Sequence, residues 1–319
     1  MRPSKLAALL LALLLLLLGG CAAAPTQRHS VAIVVKSTST EFWAAVFAGA
    51  EAAGAEYNLD LSITGPETEE DYGTQNAMIA QAVEDGAEAL VFSAIDFEAN
   101  AAAINEAARR GVRIVVIDSD VDSGAVESYI GTDNLAAGRM AAQAALDDTP
   151  GQLTVGFVNY DVNSANGQLR EQGARETLTD SGRAQVAACI NTVSEAGAAM
   201  QDTLTMLNAH PEINVLIAFN EPTSVGAARA LDASGRADAV ALVGFDSNVE
   251  TVDGLQTGLV DALIVQNTYA MGYLGVESAY RLLTGQGGSM LRTVDTATRI
   301  ITRENMFTID GQKALFAFE

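Results

Sequence analysis

Apolar runs of strand length alternate with alanine-rich helical stretches along most of the chain. Val31–Val35, Ala89–Phe92 and Val112–Ile117 are short, nearly unbroken and rich in β-branched residues, the pattern of strands buried on both faces of a parallel sheet. Between them, Trp43–Tyr57, Thr74–Asp85 and Ala99–Arg110 repeat apolar positions at helical spacing and end near a glycine or a polar turn. Strand, helix, strand, helix predicts a parallel sheet with helices on both faces. The same order returns in Leu153–Val158, Val215–Phe219 and Ala239–Phe245, again with helical stretches between them. The expected architecture is therefore α/β, with two similar, doubly wound parallel-sheet lobes.

The two halves also agree at one strand end. Val115-Val116-Ile117-Asp118-Ser119 and Val243-Gly244-Phe245-Asp246-Ser247 are each a strand running into Asp-Ser. In open α/β sheets, ligands bind beyond the carboxyl ends of the strands. Two lobes with those edges facing each other would hold a ligand between Asp118 and Asp246. Asp-Ser is also an ordinary cap for a following helix, a reading that suits one copy better than two matched ones.

The pattern breaks at the start of the chain. Arg2 and Lys5 precede Leu6–Leu18, an apolar run shorter than the about 20 residues a spanning helix needs, which reads as a secretory signal. Leu18-Gly19-Gly20-Cys21 resembles the bacterial lipobox. That predicts a lipoprotein signal peptide over 1–20, a lipidated Cys21 and a tether over 21–28. An ordinary signal peptide with an incidental cysteine, or a buried apolar helix, is the competing reading. Without the leader about 300 residues remain, enough for two lobes of ordinary domain size. Cys189 would be the other thiol; it cannot form an internal disulfide and, in the apolar run Ala187-Ala188-Cys189-Ile190, reads as a small buried hydrophobe. The net charge of −22 becomes more negative once Arg2 and Lys5 leave, which disfavours nucleic acid and anionic lipid surfaces as partners.

Candidate chemistry is binding chemistry. The turn Lys36-Ser37-Thr38-Ser39-Thr40-Glu41-Phe42-Trp43 contains no glycine and so is not a dinucleotide-binding loop. Phe42 and Trp43 could offer flat apolar faces to the C–H side of a sugar ring; Trp43 and Phe47, spaced i, i+4, also fit a core role. The two histidines, His29 and His210, have no triad-like setting, and no nucleophile elbow is present. Asp118–Gly124 begins like a calcium loop but has Ser123 and Tyr129 where glycine and a bidentate glutamate are needed, so no metal and no cofactor is expected. Glu67–Asp71 reads as a charged surface approach to the next helix.

The order of several short motifs carries a resemblance. Val116-Ile117-Asp118, Gly131-Thr132-Asp133-Asn134, Arg170-Glu171-Gln172-Gly173, Phe219-Asn220-Glu221, Val243-Gly244-Phe245-Asp246 and Ile264-Val265-Gln266, after the first strand and its aromatic pair, resemble the ribose/galactose-type periplasmic binding proteins, the type I solute receptors of ABC importers. The resemblance implies two lobes joined by a three-strand hinge, 29–132 plus 267–293 and 133–266 plus 294–319. It places ligand contacts at Thr40, Phe42, Trp43, Asp118, Arg170, Asn220, Asp246 and Gln266; Arg170 could instead pair with nearby acids on a helix surface. Lys36 and Ser119 depart from the pattern: ribose binders have a small hydroxyl residue at the first position and arginine at the second. Both join the candidate site, and the ligand is left open among an acidic or amino sugar, a polyol and a modified nucleoside.

The function implied is a monomeric, lipid-anchored, extracytoplasmic receptor that captures a carbohydrate-like ligand for an ABC permease, with no bond broken. A receptor for a chemoreceptor or histidine kinase, and a sugar-active enzyme, are the alternatives. The absence of a basic helix-turn-helix before Val31 argues against a repressor of the same fold.

Overall fold

The computed structural model describes residues 28–316. The leader and Cys21 lie outside them. Strands β1 (Ser30–Val34), β2 (Asp60–Thr64), β3 (Ala89–Phe92), β4 (Arg113–Ile117), β5 (Ser128–Gly131) and, much later in the chain, β11 (Thr293–Asp295) form one sheet in the order β11-β5-β4-β3-β1-β2. All of its pairings are parallel. A second sheet is built from β6 (Leu153–Asn159), β7 (Ala184–Asn191), β8 (Val215–Ala218), β9 (Ala241–Phe245), β10 (Ala262–Val265) and β12 (Arg299–Thr302), in the order β12-β10-β9-β8-β6-β7. Only β12 among them runs antiparallel, against β10.

The central strands form where the sequence is continuously apolar, because both faces are covered: β3, β8 and β10 are buried at every residue. The edge strands β2 and β7 have no fully buried residue: β2 alternates exposed and half-buried positions, while β7 keeps an apolar run, Val186–Ile190, that is only half-buried because one side of the strand has no neighbour. Cys189 lies on β7 and is only half-buried, with Sγ 3.4 Å from Glu171 Oε2, so it is not the buried hydrophobe its flanking residues suggest. An edge position leaves it one open side.

Helices α1 (Glu41–Glu56), α2 (Tyr72–Glu84), α3 (Ala101–Arg109) and α9 (Thr268–Leu283) belong with the first sheet. The second sheet carries α4 (Asn134–Asp148), α5 (Ala165–Asp180), α6 (Ala196–Ala209), α7 (Glu221–Ser234), α8 (Val249–Thr257) and α10 (Ile309–Leu315). Each sheet buries one apolar cluster per face, so each lobe has its own core. In both lobes one helix pair meets backbone to backbone, α1 with α9 and α4 with α5; at Gly138 of α4, an added Cβ would overlap the Arg170 carbonyl oxygen of α5.

The chain passes between the sheets three times, after β5, after β10 and between β11 and β12. The third crossing falls after Asp295 rather than at Thr293, because β11 stays paired with β5 as far as Asp295↔Gly131. Thr132 and Gln266 sit at the first two crossings, and the Thr132 hydroxyl donates to Gln266 Oε1 at 2.9 Å.

Candidate functional site

Carboxyl ends of strands from both sheets face one another. Lys36 follows β1, Asp118 follows β4, Tyr160 follows β6, Asn220 follows β8, Asp246 follows β9 and Gln266 follows β10; with Thr40, Phe42, Trp43, Glu69, Asn166, Arg170, Glu221 and Pro222 they line one narrow cleft between the lobes. Asp118 and Asp246 reach this cleft in the same way. Each adopts left-handed backbone angles, φ 57° and 65°, a region costly for most side chains but tolerated by aspartate. Each donates its N–H to the neighbouring strand, to Ile130 O at 3.1 Å and Ile264 O at 3.0 Å. The duplicated Asp-Ser is thus a pair of strand-end corners that turn a carboxylate into the space between the lobes.

The other side chains are held by the elements around them. Thr40 N-caps α1, accepting from Trp43 N at 3.4 Å. Asn220 N-caps α7 in a capping box with Thr223, and its Nδ2 donates to Ser194 Oγ at 2.8 Å. Trp43 is 1% exposed and belongs to the core of the first lobe; its ring lies edge to face with Phe42, and Nε1 donates to Glu69 Oε1 at 3.0 Å. Arg170, also 1% exposed, donates to Asn134 Oδ1 (2.8 Å), the Phe219 carbonyl (2.7 Å) and Gln266 Oε1 (2.8 Å), and lies over the Phe245 ring. It is not paired with acids on a helix surface. Gln266 in turn donates to Asp246 Oδ1 at 2.7 Å. One hydrogen-bonded line therefore runs from Thr132 and Gln266, at the crossings, to Arg170 and Asp246 in the cleft.

Polar contacts also join the lobes across the cleft. Glu221 accepts from the N–H groups of Glu41 (3.4 Å) and Phe42 (2.8 Å) at the start of α1, where the helix dipole favours a carboxylate. Ser194 donates its N–H to Glu70 at 2.7 Å and its hydroxyl to Glu69 at 3.1 Å. Lys36 Nζ donates to Ser164 Oγ at 3.0 Å and lies 3.5 Å from Glu69 Oε2, while Asn166 Nδ2 reaches Asp118 Oδ1 at 3.1 Å. This is a closed arrangement, with the lobes drawn together over the strand ends.

Residues 31–287 match the family described as periplasmic binding protein domain. The chain belongs to this family. As a periplasmic binding protein it is similar to the D-ribose/D-allose-binding protein of Pseudomonas aeruginosa, 28% identical over 82% of this chain and 84% of that one. The ribose import binding protein RbsB of Bacillus subtilis is 23% identical over 86% of this chain and 88% of its own. Among solved structures, a carbohydrate transporter solute binding protein from Agrobacterium radiobacter in complex with D-arabinose superposes with a TM-score of 0.87 at 27% identity, covering 91% of this chain and 99% of that one. An ABC transporter solute binding protein from Agrobacterium vitis with bound D-fucose gives 0.86 at 26%, covering 90% and 99%. The type I periplasmic binding protein fold is thereby shown, and these relatives are binding proteins of transport systems rather than enzymes.

Nine of the ten candidate positions of this periplasmic binding protein line the cleft; Ser119 does not. Its side chain is fully buried behind Asp118 and its hydroxyl has no partner among the described residues, because the left-handed turn that sends Asp118 forward sends the next residue back. Glu69, read from sequence as part of a solvated approach to α2, is instead nearly buried against Lys36, Trp43 and Ser194. Tyr160, Asn166, Glu221 and Pro222 were not singled out. Tyr160 and Glu221 had a signal available, since both stand just beyond carboxyl ends of strands; Glu69 and Asn166 reach the cleft from loops and helix starts that no periodicity reports.

Burial dominates the ionisation of the cleft. It pushes the Asp118, Glu221 and Asp246 carboxyls up, Asp246 to about 7, against the opposing pull of Arg170 and the Gln266 hydrogen bond on Asp246. Burial alone would lower the Lys36 ammonium, but Glu69 first, then Tyr160 and Asp118, outweigh it and hold the amine above its usual range. Between the usual carboxylate range and about pH 7, the folded protein holds a proton on Asp246 that the unfolded chain releases. Stability without ligand should therefore fall as pH rises through that interval and level off above it. Asp246→Asn should remove part of the slope and be more stable than the parent above about pH 7. Thermal melts of both proteins from acid to mildly basic pH check this; a stability difference independent of pH would contradict it.

Proposed function

We propose that this chain is an extracytoplasmic receptor, anchored by lipid at Cys21, that closes its two lobes on a sugar or sugar-like ligand and presents the closed form to an ABC permease. The observation that carries this reading is the meeting of the two duplicated aspartates across one cleft, with an arginine, an asparagine and a glutamine beside aromatic walls. Carboxylates accept from paired hydroxyls, the planar guanidinium donates, and the amides do both. Phe42 and Trp43 supply the apolar surface that the C–H face of a sugar ring needs. The relatives support the same class: ribose, allose, arabinose and fucose are bound by proteins similar over most of this chain. The contact set we assign is Lys36, Thr40, Phe42, Trp43, Asp118, Arg170, Asn220, Asp246 and Gln266. The lobes would hinge at the three crossings, with Gln266 reporting occupancy to them.

A ligand that binds only the folded, closed protein raises its melting temperature by mass action. At a ligand concentration about 100 times Kd, the stabilisation is about 2.7 kcal/mol. A thermal-shift screen of pentoses, hexoses, amino sugars, uronic acids, polyols and nucleosides should give a clear rise for one class. Mass spectrometry of the small molecule released from purified protein on denaturation should name the same compound. A screen without any shift, together with no released compound, would remove the sugar reading. Labelling of the full-length protein with a radioactive fatty acid, lost in Cys21→Ser, tests the anchor.

A further inference from the structure

The cleft contains more acid than base, and its bases are already engaged. Lys36 and Arg170 line it against Glu69, Asp118, Glu221 and Asp246. Lys36 is committed to Glu69 and Ser164, and Arg170 to Asn134, the Phe219 carbonyl and Gln266. Most of their donors are taken, and four acids against two cations leave the lining acidic overall, which disfavours an anionic ligand.

Three of the four acids are equally occupied. Asp118 accepts from Ser93 Oγ on Oδ2 and from Asn166 on Oδ1. Glu221 accepts from Glu41 N and Asn248 Nδ2 on Oε1 and from Phe42 N on Oε2. Glu69 takes Trp43 Nε1 on one oxygen, and Ser194 and Lys36 on the other. Asp246 differs. It is 5% exposed and receives a protein hydrogen bond on Oδ1 alone, from Gln266, which leaves Oδ2 without a protein donor among the described residues. That oxygen is an open acceptor at the cleft wall, and a cationic donor placed on it gains more than a neutral hydroxyl, because it supplies charge as well as a proton. Phe42, Trp43 and Tyr160 also line the space, and the electron-rich faces of such rings attract cations.

Resting on the sugar-receptor reading above, we propose that the cleft selects a sugar bearing a protonated amine, held by Asp246, and rejects sugar acids.

The test is titration calorimetry of the purified protein, stripped of ligand by unfolding and refolding, with two matched sets: D-glucosamine, D-glucose and D-glucuronate, and D-galactosamine, D-galactose and D-galacturonate. The better amino sugar should bind about tenfold or more tighter than its neutral parent, the difference between a charge-assisted and a neutral hydrogen bond. The uronates should not bind. Asp246→Asn should lose most of the preference for the amine, with its melting curve showing that it is folded. A neutral parent bound as tightly as its amine, or any uronate bound, overturns the proposal while leaving the sugar-receptor reading intact. No binding by either set, with a different class of compound released on denaturation, overturns both.

Discussion

Replacing Arg170 by alanine is expected to abolish ligand binding and to destabilise the protein by about 3–5 kcal/mol, the cost of breaking up a buried charged network. The size follows from what the guanidinium holds. Its three hydrogen bonds tie Asn134 at the start of α4, the Phe219 carbonyl at the end of β8 and Gln266 at a crossing between lobes, and its plane covers Phe245. Alanine leaves a buried carbonyl and two buried amide oxygens short of donors, each costing about 1–3 kcal/mol before relaxation. It also removes the positive charge that opposes the burial of Asp246 and Asp118. Arg170→Lys keeps the charge but cannot span three acceptors from a single ammonium, so it should recover part of the stability and little of the binding. Calorimetry for affinity and denaturant unfolding for stability separate the two effects. Affinity within twofold of the parent in both variants would show that Arg170 is structural alone.

Gly138→Ala should destabilise the protein by about 1–3 kcal/mol, the usual cost of forcing extra volume into a packed interface, and should weaken ligand binding as well. The added methyl would overlap the Arg170 carbonyl oxygen, and Gly173 makes the reciprocal approach to the Leu135 carbonyl. Both obstacles are backbone, so no side chain can rotate away. Helix α5 must move, carrying Arg170, Asn166 and Glu171 with it. Gly311→Ala provides the comparison. Its methyl would overlap the Asn305 carbonyl oxygen in the C-terminal part of the second lobe, with no cleft residue on either side of the contact. Both variants should melt earlier, and only Gly138→Ala should bind the ligand less tightly. Equal affinity in the two would show that the α4–α5 crossing does not position the arginine.

Much of the scaffold was readable because burial on two faces leaves a strong local trace. The central strands could be located from unbroken runs such as Ala89–Phe92 and Val215–Ala218, which are buried throughout. The edge strand β2 could not, since Asp60-Leu61-Ser62-Ile63-Thr64 faces solvent on alternate residues and has the composition of a loop. The direction of β12 was equally hidden, because one antiparallel strand has no local mark that separates it from a parallel one.

For the cleft, the sequence by itself determined the repeated corner: a buried strand ending in aspartate, once in each half, with an aromatic pair after the first strand. Such features are local, resting on strand periodicity and on the tolerance of aspartate for left-handed backbone angles. Only the tertiary structure decided what the corners face. It put Ser119 behind its aspartate, brought Glu69 out of an acidic loop to meet Lys36, and engaged Arg170 with partners from α4, β8 and a crossing strand. Residues so far apart in the chain meet because two sheets close on each other. The charge balance inside that closed space, with Asp246 holding the one carboxylate oxygen among its four acids that accepts no hydrogen bond from the described residues, depends on which groups are brought together, and spacing along the chain does not encode it.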